Sequence, residues 1–136
     1  MANRKIEDVE GIGPTIGSKL RAAGIKDTDT LLAQCGTPTQ RKGVADKSGL
    51  TGAQVLKFAN MVDLYRISGV GSEYAELLEV AGVNTVPQLA RRNAANLEQA
   101  MTEVNEQKKL TRRAPSATEV AKWVEQAKAL PRVLTY

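Results

Sequence analysis

The chain has 136 residues, 42% of them hydrophobic and 25% charged, which is enough to bury a core and too apolar for a disordered chain. Its 19 basic and 15 acidic side chains leave a net charge of +4, a surplus that permits contact with a polyanion without demanding it, because local clustering outweighs the sum. There is no histidine and a single cysteine, Cys35, so intrachain disulfides, imidazole-bound zinc and histidine general bases are excluded.

The opening segment MANRKIEDVEG carries no apolar run of the kind a signal peptide needs. No stretch approaches the roughly 20 apolar residues of a membrane span. The expectation is a cytoplasmic protein with no membrane partner. Few residues are aromatic, while Ala, Leu, Val, Lys, Glu and Gln abound, and that composition favours an all-α fold.

Taken in order, the first helix begins at Pro14, whose missing N–H costs nothing at a first helical position, and stops at Gly24. Ile16, Leu20 and Ala23 form its buried stripe. Asp27 and Asp29 mark the next start as capping residues. Thr37 with Gln40, Thr51 with Gln54, Thr85 with Gln88 and Ser116 with Glu119 each read as a capping box, a hydroxyl and a Glu or Gln three residues apart. From Thr51 the spacing Val55, Ala59, Val62 predicts a helix running towards Tyr65. The polar stretch NEQKKLTRR reads as a loop or a frayed helix end. The last helix carries Val120, Trp123, Val124 and Ala127, meets Pro131 and leaves a short tail, RVLTY; it is expected to fold back as a cap.

An internal repeat underlies this order. Gly11-Ile12-Gly13 and Gly69-Val70-Gly71 lie 58 residues apart, and at the same offset Leu20 falls on Leu78, Ala23 on Ala81, Gly24 on Gly82, Ile25 on Val83 and Leu31 on Leu89. Val55, Lys57 and Phe58 match Val120, Lys122 and Trp123 at an offset of 65. The chain is therefore read as one domain, 1–136, with repeat one at 6–63, repeat two at 64–130 and a C-terminal tail.

Each copy carries the same apolar and glycine pattern, with Ile6, Val9, Gly11, Ile12, Gly13, Gly17 and Leu20 in the first, and Leu64, Ile67, Gly69, Val70, Gly71, Ala75 and Leu78 in the second. This pattern resembles the helix-hairpin-helix family. The tandem form is similar to the double units of many DNA repair and recombination proteins, and to a bacterial tandem-hairpin family known only as a domain of unknown function. The resemblance implies hairpin amides that grip a nucleic-acid backbone without reading bases, sometimes through a bound monovalent cation.

The physics of the residues agrees with that implication. Two glycines around an apolar residue let the backbone turn sharply and lie bare, while the apolar side chain pins the turn to the core. Thr15, Ile16 and Gly17 open a helix, so their N–H groups are expected to lack partners and, with the helix dipole, to favour a phosphate oxygen. The bland alternative is a tight interhelical turn that only packs helices, since fold does not dictate function.

Nearby charge separates the two. In the first copy Thr15, Ser18 and Lys19 share one polar face, with Arg21 and Lys26 beyond it. In the second, Glu73, Glu76 and Leu77 occupy those positions and Glu79 replaces Arg21, which makes Gly69, Val70 and Gly71 a poorer phosphate site. Of the other basic groups, Arg41-Lys42 and Arg91-Arg92 read as solvated surface. Lys108, Lys109, Arg112 and Arg113, with no acid among them, are the candidates for secondary contacts.

No catalytic or metal-binding set emerges. Glu73, Glu76 and Glu79 lack anything to complete a coordination sphere, Cys35 lacks an activating histidine and reads as a packed thiol, and Phe58 and Trp123, at equivalent positions, read as core anchors. The Gly-Pro-Asp context of hairpin-bearing glycosylases is absent. The expectation is a non-enzymatic binder of nucleic acid, DNA foremost, with no small-molecule substrate or cofactor beyond that possible cation. A protein-interaction adaptor built on the same scaffold is the alternative.

Overall fold

Local signals set the helix boundaries. A computed structural model describes residues 3–136 and, among them, contains eight α-helices and no strand beyond an isolated bridge between Lys5 and Asp27. After a short 3-10 turn at Ile6–Asp8 come α1 (Pro14–Ala22), α2 (Thr28–Gln34), α3 (Pro38–Ser48) and α4 (Gly52–Leu64), then α5 (Ser72–Val80), α6 (Val86–Ala90), α7 (Ala94–Lys108) and α8 (Ala117–Ala129). Pro14 takes the first position of α1 behind Gly13. Asp27 caps α2 by accepting the Thr30 N–H.

The capping boxes at Thr37 and Ser116 are complete. At Thr51 the two reciprocal bonds are 2.9 and 3.1 Å. At Thr85 the hydroxyl accepts the Gln88 N–H, but the Gln88 Oε1 takes the Asn84 N–H at 2.7 Å, so the second half of that box has moved one residue upstream. The NEQKKLTRR stretch is a helix end: α7 runs to Lys108, Lys109 closes it with φ 51°, and the Asn105 side chain holds the Thr111 N–H at 2.9 Å.

The chain divides into two compact units, one holding the residues up to Asp63 together with Val133–Tyr136, the other Leu64–Arg132. In the first, α1 packs on the 3-10 turn and on α3, and α2 packs on α3, around Ile6, Leu20, Ile25, Leu31, Val55, Phe58 and Val62. In the second, α8 packs on α6 and α7, and α5 on α7, around Ile67, Leu77, Leu78, Leu89, Leu97, Met101, Val120 and Trp123. The final helix thus covers neighbours within its own unit.

The segment after it is anchored. Leu134 is buried in the first unit, Thr135 donates its N–H to Gly36 O at 2.7 Å, and the Tyr136 hydroxyl donates to Asn60 at 2.8 Å. Arg41, expected on the surface, is 7% exposed and holds the carbonyls of Cys35 and Thr135 at 3.0 and 2.6 Å. Cys35 is fully buried, and burial pushes its thiol pKa up to about 11.

Candidate nucleic-acid interface

The two glycine-bounded bends repeat each other bond for bond. Gly11 and Gly69 have φ of 86° and 94°, and Gly24 and Gly82, after the following helices, have 90° and 98°. L-residues rarely adopt such values, so glycine is the natural occupant. Ile12 donates to Val9 O at 3.0 Å and Val70 to Ile67 O at 3.1 Å, while Gly17 donates to Gly13 O and Ala75 to Gly71 O, both at 2.8 Å. Ile12 and Val70 are each 3% exposed, so both apolar pins enter the core.

Under each bend sits the matching aromatic. A Cβ on Gly11 would lie 3.5 Å from the Phe58 ring, and one on Gly69 would lie 3.1 Å from the indole nitrogen of Trp123. Both rings are buried.

The entry to the bends differs. The long helix α4, ending at Leu64, leads into the second bend, and only the 3-10 turn leads into the first. The cause is upstream pairing: Ile6 N–H bonds Lys26 O at 3.1 Å and Thr28 N–H bonds Arg4 O at 2.9 Å, so the backbone of Arg4 and Lys5 is tied to another segment and unavailable for a longer helix.

At the first bend Gly11, Gly13, Pro14, Thr15, Ser18 and Lys19 are exposed and contiguous, with Ile16 half-buried. Thr15 and Ile16 occupy the second and third positions of α1, where an N–H has no helical acceptor. The expectation for Gly17 is corrected, because its N–H is already spent on Gly13 O.

Arg21 is corrected too. Its Nε and Nη2 fork onto the Glu7 carboxylate at 2.8 and 2.7 Å. That bond holds the Glu7 pKa down to about 2. Glu7 lies across Gly17, whose added Cβ would meet its carboxylate oxygen at 2.5 Å; the small residue at position 17 makes room for this carboxylate. Lys26 is exposed but stands beside the N-terminal arm, paired across from residues 4–6.

The second bend is engaged by its own unit. Gln126 bonds the Ser68 N–H at 2.9 Å and Ser68 O at 3.4 Å, Ser72 Oγ lies 2.6 Å from the Tyr65 hydroxyl, and the Tyr74 ring meets Trp123 at 5.2 Å between centroids. Gly69 is exposed, Gly71 is half-buried, and Glu73 stands exposed beside them. Of the secondary candidates, Lys108, Lys109 and Arg112 are exposed, the first two at the C-terminal end of α7 where cations suit the helix dipole. Arg113 is taken: it pairs with Glu119 at 2.8 and 3.3 Å.

Glu7, Arg4 and Lys5 escaped the sequence reading, although the signal was in view as a basic pair, Arg4-Lys5, followed by the acids Glu7 and Asp8. Among the described residues no group of three or more His, Cys, Asp or Glu is placed to hold a metal, and no helix is long and apolar enough to cross a membrane.

Helices throughout, with two glycine-bounded bends that each lie over a buried aromatic, define the class. The chain belongs to the family described as a domain of unknown function, DUF4332, whose model matches residues 10–130. No curated protein and no solved structure matches it.

Proposed function

We propose that this chain is a non-enzymatic module of two helix-hairpin-helix copies that binds nucleic acid, DNA foremost, without reading sequence, in the cytoplasm. The observation that carries the proposal is the pair of unspent amides, Thr15 and Ile16, on an exposed glycine-bounded bend with the exposed Ser18 and Lys19 alongside. Main-chain donors at a helix start favour an anionic oxygen, and a lysine one turn on adds charge without base selectivity. Binding of this kind is electrostatic, so log affinity falls with log salt at about 0.9 per neutralised phosphate.

The test is a fluorescence anisotropy titration with duplex, single-stranded and branched DNA at two salt concentrations. Lys19→Glu should weaken binding to all sequences alike and flatten the salt slope by about 1. Unchanged affinity in that variant sinks the placement of the site.

A second use of the scaffold, docking a protein, draws support from the exposed Glu73 at the second bend and from the general rule that one fold hosts several roles. Pull-downs with and without nuclease separate the two. Partners that survive nuclease favour the adaptor, and their loss favours nucleic acid.

A further inference from the structure

α1 carries the first bend at its N-terminal end and Arg21 one residue before its C-terminal end. Beyond Arg21 the first unit gathers charge from three separate stretches of chain. Residues 4–6 pair antiparallel with 26–28, through Ile6 N–H to Lys26 O at 3.1 Å, Thr28 N–H to Arg4 O at 2.9 Å, and Arg4 N–H to the Thr28 hydroxyl at 3.1 Å. Asn3 fastens the arm, accepting the Asp29 N–H at 3.0 Å and donating to Asp27 at 3.1 Å. The product is a cleft of about 340 Å³ lined by Asn3, Arg4, Lys5, Arg21, Lys26 and Asp27.

Four of those six residues are cations, set against two carboxylates: Asp27 in the lining and Glu7, which is paired with Arg21. Asp27 accepts the Thr30 N–H at 2.8 Å, the Thr30 hydroxyl at 2.6 Å and the Asn3 amide. Glu7 takes Nε and Nη2 of Arg21 and leaves the Nη1 hydrogens for another acceptor. Scattered surface cations are ordinarily just solvated. Here the backbone bonds between residues 4–6 and 26–28 bring Arg4, Lys5 and Lys26 to one concavity beside Arg21, and four cations against two carboxylates leave a positive surplus that attracts an anion.

We infer that this cleft binds a phosphate group and, resting on the nucleic-acid proposal above, that the group is a phosphodiester of the same strand held at the first bend. Thr15 and Arg21 are six residues apart, about 9 Å along the helix axis. On a strand rising about 3.4 Å per nucleotide the two sites meet phosphates two or more steps apart, so α1 spans them.

Amide proton–nitrogen spectra of the full chain, titrated with sodium phosphate against sodium chloride at matched ionic strength and then with a short DNA duplex, test this. Phosphate should shift the amides of residues 3–5 and 26–27 beyond what chloride does, and DNA should shift these together with Gly13, Thr15 and Ile16. The double variant Lys5→Glu/Lys26→Glu keeps every backbone bond of the arm. It should lose the cleft shifts, keep those at the bend, and flatten the salt slope by about 0.9 per phosphate lost. Lys5→Ala/Lys26→Ala should give the same result, with unchanged circular dichroism showing that the fold persists. DNA that moves the bend amides but not the cleft overturns the inference and leaves the proposed function standing. Phosphate-specific shifts at the cleft in a chain that binds no DNA would overturn the assignment to a strand and sink the proposed function with it.

Discussion

Replacing Gly11, Gly24, Gly69 and Gly82, four of the five left-handed glycines among the described residues, one at a time by alanine separates backbone strain from crowding. Around Gly24, at φ 90°, an added Cβ meets nothing within 4 Å. Gly24→Ala therefore reports strain alone, about 1–2 kcal/mol. At Gly11 the Phe58 ring stands at 3.5 Å, ordinary van der Waals contact, so Gly11→Ala should cost about the same. At Gly69 the new methyl comes within 3.1 Å of the Trp123 indole nitrogen. That ring is 3% exposed and meets Tyr74 in a tilted arrangement, and overpacking such a site adds about 1–3 kcal/mol to the strain. Gly82, with only the Arg92 guanidinium at 3.8 Å, should behave like Gly24. Urea unfolding followed by circular dichroism gives the losses, and Trp123, the only tryptophan, reports the second unit by fluorescence. Gly69→Ala costing no more than Gly24→Ala would refute the idea that the glycine exists to admit the indole.

Two further outcomes follow from the ion pairs and the buried guanidinium. Hydrogen bonds from Arg21, from Thr30 and from Arg113 lower the carboxyls of Glu7, Asp27 and Glu119 respectively to about 2. Because the folded values are depressed, their stabilisation is complete above the ordinary carboxylate range and is lost as pH falls from there towards 2. Carbon-detected titration of the three carboxyls, with urea midpoints at pH 6 and pH 3, checks this, and midpoints in the ordinary carboxylate range would contradict it. Arg41→Met keeps the stem but strips both carbonyl partners, at a cost of about 2 kcal/mol. Deleting Val133–Tyr136 should then add less in the Arg41→Met background than in the wild type, since the two share the Thr135 carbonyl contact; full additivity would count against a shared contact.

What could be read from the sequence is what the chain decides locally. Ser116 finds Glu119, Thr37 finds Gln40, and Gly24 ends its helix, because each needs only neighbours within one turn. The pairing of Phe58 with Gly11 and Trp123 with Gly69 was half legible: the equivalence of the rings followed from their offset, their position beneath the glycines did not. Contacts made across the fold stayed hidden. Glu7 meets Arg21 fourteen residues away, and Arg41 meets a carbonyl ninety-four residues away. A lone arginine beside a lysine looks solvated until the partner segment is placed. Gln88 misleads for a subtler reason, since the Asn84 N–H competes for the same side-chain oxygen and wins.

The return of Val133–Tyr136 to the first unit makes the second an insertion in topological terms, interrupting its host between α4 and the closing segment. During synthesis the host cannot acquire Leu134 beneath its surface, or the acceptor for Arg41, until the whole inserted body has left the ribosome. Domains ordinarily mature in the order they are translated; here the part begun first is the part completed last.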